Sequence, residues 1–330
     1  MDGTPIADPH VSIIIPVKDR RALLVAALEG LTQQTYDNFE VVVVDDGSSD
    51  GSGDEAAGWT VAGRPVRVVP GGGQGAVRAR QVGVSEARGE VLAFTDSDCV
   101  PTPRWLELGV KAIDGGADLV NGRTGPRRPM LPLERSMGSG LEGLYPTCNM
   151  FYRRAAYEKV GGFDGSAAIR WGFRSDRRSR GDGFGEDTLL AWRLIRAGGQ
   201  VEYVPKAFVE HAVFPPDLAE LVSRTTRAAA FPAMVKEVPE LRDTLLRWRW
   251  QLGARTRLPV YTLAITALAR QPRLAQGCLA WWIGVRVAAL RHFPIRWRRR
   301  LEVLPAEMAI DVLTAGALVV GSVRARSITL

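Results

Sequence analysis

Two carboxylates at spacing i, i+2, Asp96-Ser97-Asp98, directly follow the apolar run Val91-Leu92-Ala93-Phe94-Thr95. That run is short enough for a buried strand, and ligands in open α/β sheets gather at the carboxyl ends of strands. Two hard oxygen donors there suit Mg²⁺ or Mn²⁺, which favour carboxylates and often take further ligands from phosphates. A second run, Phe39-Glu40-Val41-Val42-Val43-Val44, feeds straight into Asp45-Asp46-Gly47-Ser48. Two adjacent strands can therefore offer acid groups to one crevice. The Asp46 carboxylate can accept from a uracil-like N3–H or a ribose hydroxyl; it can equally close an Asx-type turn with Gly47 and Ser48. A third acidic pair, Glu186-Asp187, opens a helix-patterned stretch, where its charge also suits simple N-terminal capping.

The elements that must position these groups alternate along the chain. Val11-Ser12-Ile13-Ile14-Ile15-Pro16 reads as a buried parallel strand stopped by proline. Arg21 to Thr32 has helical spacing, with Leu23, Leu24, Ala27, Leu28 and Leu31 sharing a face. With the strand ending at Val44 this makes a right-handed βαβ unit. Val66–Val69 predicts a short strand, Ala76 to Ala87 a helix, and Pro101-Thr102-Pro103 the start of another containing Trp105. Strands are predicted at Asp118–Gly122, Cys148–Arg154 and Val201–Pro205, with His211 just beyond the last. Pro70-Gly71-Gly72-Gly73-Gln74-Gly75 matches neither P-loop spacing nor a dinucleotide fingerprint, and reads as a turn. Between Gly165 and Gly183, Arg170, Arg174, Arg177, Arg178 and Arg180 crowd a stretch with little to bury; it is a solvated insertion or a lid that meets phosphates.

At 330 residues, with 46% hydrophobic and 24% charged residues, the chain fits one large domain plus an appendage. Three cysteines without metal-ligand spacing read as reduced thiols, and Met1 to His10 shows no signal-peptide pattern, so a cytoplasmic location is expected. Charge is uneven: residues 218–330 carry 18 Lys/Arg against 7 Asp/Glu, whereas the first 217 carry 25 against 29. A domain at 1–217 and a helical, basic region at 218–330 are therefore expected to meet different partners. The apolar runs Pro259–Ala269, Cys278–Val285 and Val312–Gly321 fall short of the roughly 18–20 uncharged residues of a spanning helix. Tryptophan beside Arg296-Trp297-Arg298-Arg299-Arg300 suits peripheral attachment to an anionic inner membrane surface, with packing on a protein surface as the alternative. No nucleic-acid module is recognisable.

In order and spacing, Val11–Pro16, Val44-Asp45-Asp46-Gly47-Ser48-Ser49-Asp50, Ala79-Arg80-Gln81-Val82-Gly83, Asp96-Ser97-Asp98, Gly161-Gly162-Phe163-Asp164 and Gly185-Glu186-Asp187 resemble glycosyltransferase family 2. The resemblance covers about residues 10–215. It implies the GT-A fold, a Rossmann-like α/β architecture with a mixed, mostly parallel sheet flanked by helices, followed here by the C-terminal helical appendage. It implies a nucleotide-sugar donor, with Asp46 on the uracil, Pro16, Val17 and Asp19 around the base, and Arg80, Asp96 and Ser97 lining the nucleotide site. Asp98 is implied to hold a divalent metal, Mg²⁺ or Mn²⁺, with Asp96 and His211 as further contacts, and Asp187 to be the general base, with Glu186 as its alternative. The sequence departs from the family at Lys18-Asp19, where Tyr-Asn is common, and at Arg80-Gln81. It lacks the Gln-x-x-Arg-Trp motif of processive synthases. The expected activity is inverting transfer of one sugar to a hydroxyl on a glycan or lipid-linked acceptor. A sugar nucleotidyltransferase and a non-catalytic binding protein are the alternatives; the first lacks its glycine-rich segment after the first strand, and the second sits poorly with intact Asp96, Asp98 and Asp187.

Overall fold

A computed structural model describes residues 8–138, 143–171, 184–252 and 257–330. Of the arginine-rich stretch only Arg170 is included; Arg174, Arg177, Arg178 and Arg180 lie outside the described residues. The described residues divide into two compact units. One is drawn from Met1–Arg127, Met137–Arg170 and Arg174–Ala212, the other from Arg128–Ser136, Trp171–Phe173 and Val213–Leu330.

The first unit is built on one sheet. β1 (Val11–Val17), α1 (Arg21–Thr32) and β2 (Phe39–Asp45) form the expected parallel unit, with Val11 opposite Phe39 and Val17 opposite Asp45. α2 (Ser52–Ala57) and the small hairpin β3 (Thr60–Val61) and β4 (Arg64–Pro65) lead to β5 (Arg67–Pro70), parallel to β2. α3 (Ala76–Glu86) then returns the chain to β6 (Val91–Thr95), which pairs parallel with β1 on its other side. The strand order thus reverses between β1 and β6, the topological switch point where such sheets open a ligand crevice. Past it run β7 (Cys99–Pro101), α4 (Trp105–Asp114), β8 (Leu119–Pro126), β9 (Asn149–Arg153), α5 (Arg154–Lys159), α6 (Ala167–Arg170), α7 (Glu186–Arg196) and β10 (Val201–His211). The full order is β5-β2-β1-β6-β9-β8-β10-β7, a mixed, mostly parallel sheet of GT-A type in which β9 and β7 run against their neighbours.

The apolar runs work because both sheet faces are covered. Ile13, Ile15, Val41 and Val43 pack with Leu24, Leu28 and Leu31 of α1 on one face. Ile14, Val42, Leu92 and Phe94 meet Val77 of α3 and Leu190 and Leu194 of α7 on the other. Helix α3 lies so close that a Cβ on Gly83 would stand 2.5 Å from Ile14 Cγ2. β10 pairs parallel with β8 but slips between Val204 and Phe208, leaving residues 205–207 outside the ladder. The buried Asn149 amide bridges the slip, donating to the Arg123 and Ala207 carbonyls at 2.9 Å each while accepting from Trp105 Nε1 at 2.7 Å.

The second unit is helical: α8 (Leu218–Arg227), α9 (Phe231–Glu237), α10 (Leu241–Thr244), α11 (Arg257–Leu268), α12 (Pro272–Leu290), α13 (Trp297–Glu302) and α14 (Leu304–Ala325). Asp217 caps α8 by accepting from the Glu220 N–H at 2.7 Å, an interaction worth about 1 kcal/mol. The last residues are tied down, since Leu252 N–H donates to the Leu330 carbonyl and Leu330 N–H to that of Trp250. Among the described residues one helical stretch, Trp297–Ala325, is long and apolar enough to cross a membrane by length and composition. Counting only uncharged runs hides it, because Glu307 and Asp311 interrupt the stretch. Both acids are buried and face Arg286 of α12, which pairs with Glu307 and lies 3.9 Å from Asp311; Trp282 Nε1 donates to Asp311 at 3.0 Å.

Candidate functional site

The polar groups expected to act collect at the carboxyl ends of β1, β2 and β6. Asp98, just past β6, is buried. One of its oxygens pairs with Arg20, which follows β1 across the switch point, and the other stands 3.5 Å from His211 Nε2. His211 ends β10, and its Nδ1 lies 2.7 Å from the Ala212 carbonyl. A carbonyl only accepts, so Nδ1 carries a hydrogen, and Nε2 is the ring atom turned toward Asp98. Ligating histidines are oriented in this way. Asp98, Cys99 and His211 place one donor atom each within 4.8 Å of one another. The Cys99 thiol is held in its protonated form, its pKa pushed well up by a hydrogen bond with Cys148 and by burial. A hard cation is therefore left with a carboxylate and an imidazole, and the donor set fits Mn²⁺ or Mg²⁺ completed by phosphate oxygens.

A second cluster adjoins the first through the β6 end. Buried Arg80 of α3 donates to Asp96 at 2.7 Å and reaches Glu186 at 3.4 Å. Burial opposes its charge, but Asp96, Glu186 and Asp187 outweigh that and raise its pKa. Glu186 thereby has a cation at hand. Asp187, partly buried at the start of α7, accepts from the Thr188 N–H at 2.7 Å and from that of Thr147 at 3.3 Å. Desolvation, followed by the neighbouring Glu186 charge, pushes its pKa up to about 7. A carboxylate that binds a proton this readily is suited to general-base work near neutral pH.

The third cluster borders β1 and β2. Asp46 is buried, and its two oxygens accept from the backbone N–H groups of Gln74 and Gly75 at 2.9 and 2.8 Å. The glycine-rich turn is thus a partner of Asp46, and Gly72, Gly73 and Gly75 have the positive φ it requires. The turn after β2 is closed by Asp45 instead, whose Oδ1 accepts from the Ser48 N–H three residues on at 2.8 Å. Pro16 and Val17 end β1, and Ser97 is buried between the two aspartates of its motif. Asp19 is exposed, accepts from the Ser49 N–H at 2.7 Å, and has its pKa lowered by that bond. Sequence reasoning missed Arg20, the Asp46–turn linkage and Thr147. Only Arg20 carried a signal, being a cation within three residues of a central strand's end.

Residues 12–170, just under half of the chain, match the model of the family described as glycosyl transferase family 2. The glycosyltransferase AglE of Haloferax volcanii is 35% identical over 170 residues, covering 47% of this chain and 56% of that protein. The chain spans 33% and 38% of the length of the next two curated relatives. Among solved structures, the mannosyltransferase PcManGT of Pyrobaculum calidifontis, in complex with GDP-Man and Mn²⁺, superposes with TM-score 0.56 at 18% identity, covering 96% of this chain and 87% of its own. TarS 1–349 of S. aureus, in complex with UDP-GlcNAc, gives 0.52 at 17% identity, covering 96% and 92%. At these identities the two structures speak for the fold.

Proposed function

We propose, from the match of residues 12–170 to glycosyl transferase family 2, that the chain moves a single sugar from a nucleoside-diphosphate donor, a UDP-sugar by preference, to a hydroxyl acceptor with inversion. The observation that carries the reading is Asp187. A base with its pKa near 7 stands at the start of α7, in the field of Arg80, which donates to Asp96 just past the end of β6. Glu186, engaged with Arg80, is the weaker base.

In this reading the donor lies across the switch point. Pro16, Val17 and Asp19 border the base, and Asp46 shapes that pocket by holding the turn at Gln74 and Gly75. Arg80, Asp96 and Ser97 line the ribose and diphosphate. A divalent cation held by Asp98 and His211 would supply Lewis-acid charge to the diphosphate oxygens. Asp187 takes the acceptor proton as the acceptor oxygen bonds to the anomeric carbon. The bond from that carbon to the donor phosphate breaks, and the nucleoside diphosphate leaves with the electron pair. Positioned proton transfer of this kind is worth about 10²–10⁴-fold. Residues 1–217 form the catalytic part, and 218–330 bring it to a lipid-linked or cell-envelope acceptor at the inner membrane face.

The test is thermal stabilisation by a panel of nucleotide sugars with and without Mn²⁺, followed by the anomeric configuration of the product. Stabilisation by no nucleotide sugar, or a product with retained configuration, would overturn the reading.

A further inference from the structure

Helix α14 reverses the pattern of a soluble amphipathic helix. Its buried face is Glu307, Asp311, Thr314, Ala315, Leu318 and Gly321. Its exposed face carries Val312, Leu313, Val319, Val320 and Val323, from 41% to 73% accessible. Of its most apolar 18-residue window only 28% is buried, so it is not the core helix of a soluble domain. The same holds for its neighbours. α12 buries only Trp282 and Leu290 while exposing Leu274, Leu279, Trp281 and Ile283, and α11 exposes Ile265 and Leu268. The charges that interrupt the apolar runs are turned inward, where Arg286 meets Glu307 and Asp311 and Trp282 bonds Asp311.

We infer that α11, α12 and α14 sit in the hydrocarbon of a lipid bilayer, with the segment joining α12 to α14 at its headgroups. Ionisable side chains in hydrocarbon face the protein interior and pair with one another, which is the arrangement of Arg286, Glu307 and Asp311. At 1.5 Å per residue α12 and α14 are about 28 and 33 Å long, commensurate with a hydrocarbon core of about 30 Å. The joining segment supplies the interfacial signature. Arg291, Arg296, Arg298 and Arg299 are exposed beside an exposed Trp297, over which the Arg298 guanidinium lies at 5.5 Å. Tryptophan and arginine at one level suit anionic headgroups. A second copy of this chain would cover an apolar face too, but it gives no reason for the arginine belt or for acids turned away from the surface.

This deepens the membrane attachment proposed above from electrostatic contact to insertion, and its test does not depend on the transferase reading. The full chain is mixed with vesicles of phosphatidylcholine and phosphatidylglycerol, floated, and washed with molar salt and then alkaline carbonate. Insertion predicts that the chain stays with the vesicles through both washes. Val320→Arg places a charge on the outer face and should lower the retained fraction at least tenfold, whereas Val320→Leu should not. Stabilisation by nucleotide sugar, measured on the same variants, should be unchanged, which separates a failure of insertion from a failure of the donor site. Release by salt alone would leave only peripheral attachment. Equal retention of Val320→Arg, or a lipid-free dimer that ignores vesicles, would equally overturn the inference.

Discussion

The sheet unit and the helical unit solve burial in opposite senses. In β1, β2 and β6 apolar side chains fill both faces, and the acids wait at the strand ends, where the crevice opens. In α14 the acids are inside, and valine and leucine look outward. The first arrangement excludes water from a core and concentrates charge where a ligand arrives. The second leaves charge only where another side chain neutralises it and presents hydrocarbon to the surroundings. The two units thus bury opposite parts of their sequence, and the lesson is that a chain's apolar content says little until its direction is known.

The sharpest way to break the contrast is at the charges themselves. In the sheet unit Asp187→Asn should lower transfer by about 10²–10⁴-fold with donor binding retained, read by initial rates and nucleotide-sugar titration. In the helical unit Arg286→Met strands two buried acids and should cost about 3–5 kcal/mol in denaturant unfolding. Replacing the set together, Arg286→Met with Glu307→Leu and Asp311→Leu, should recover most of that loss, because the penalty belongs to the unpaired charge.

A smaller effect lies in pH. The Asp187 pKa is raised from 3.8 to about 7, so the folded state holds that proton more tightly than the unfolded chain. Its contribution to stability is full below pH 3.8 and lost as pH rises through 7. Asp187→Asn should therefore gain about 1–3 kcal/mol on the parent between those limits, seen as a Tm difference that widens with pH. Transfer by the parent should rise over the same range and level off above it. The smallest effect closes the comparison. Val312→Ser on the outer face of α14 should change the stability of the lipid-free chain by less than about 0.5 kcal/mol. Ile14→Ala, buried in β1, should cost about 2–5 kcal/mol.

Legibility in the sequence follows the same division. The strands of the switch point could be read because burial on both faces writes a continuous β-branched run, as in Ile13-Ile14-Ile15 and Val41-Val42-Val43-Val44. Asp98 and Asp187 could be read because each terminates or opens a patterned element. Arg20 could not be assigned to Asp98, since 78 residues separate them and only the parallel pairing of β1 with β6 joins their ends. Asp46 and the glycine-rich turn each suggested something separately, and their shared hydrogen bonds appear only when β5 lies beside β2. In the helical unit the uncharged runs read as too short to span because Glu307 and Asp311 interrupt them. Their pairing with Arg286 is a tertiary fact.

The slip in β10 gives the Asp98–His211 geometry a counting rule. Three residues, 205–207, stand outside the ladder upstream of His211. Side chains alternate faces along a strand, so a shift of one position reverses every residue after it. Taken up as a register shift, a single deletion among these three would move His211 back one slot to the face away from Asp98, with Ala212 taking its place, while removing two would return the imidazole to the original face but two slots back. Chains that diverge at this site by odd and even length changes should accordingly fall into two classes, one with the imidazole on the crevice face of the strand and one with it on the opposite face.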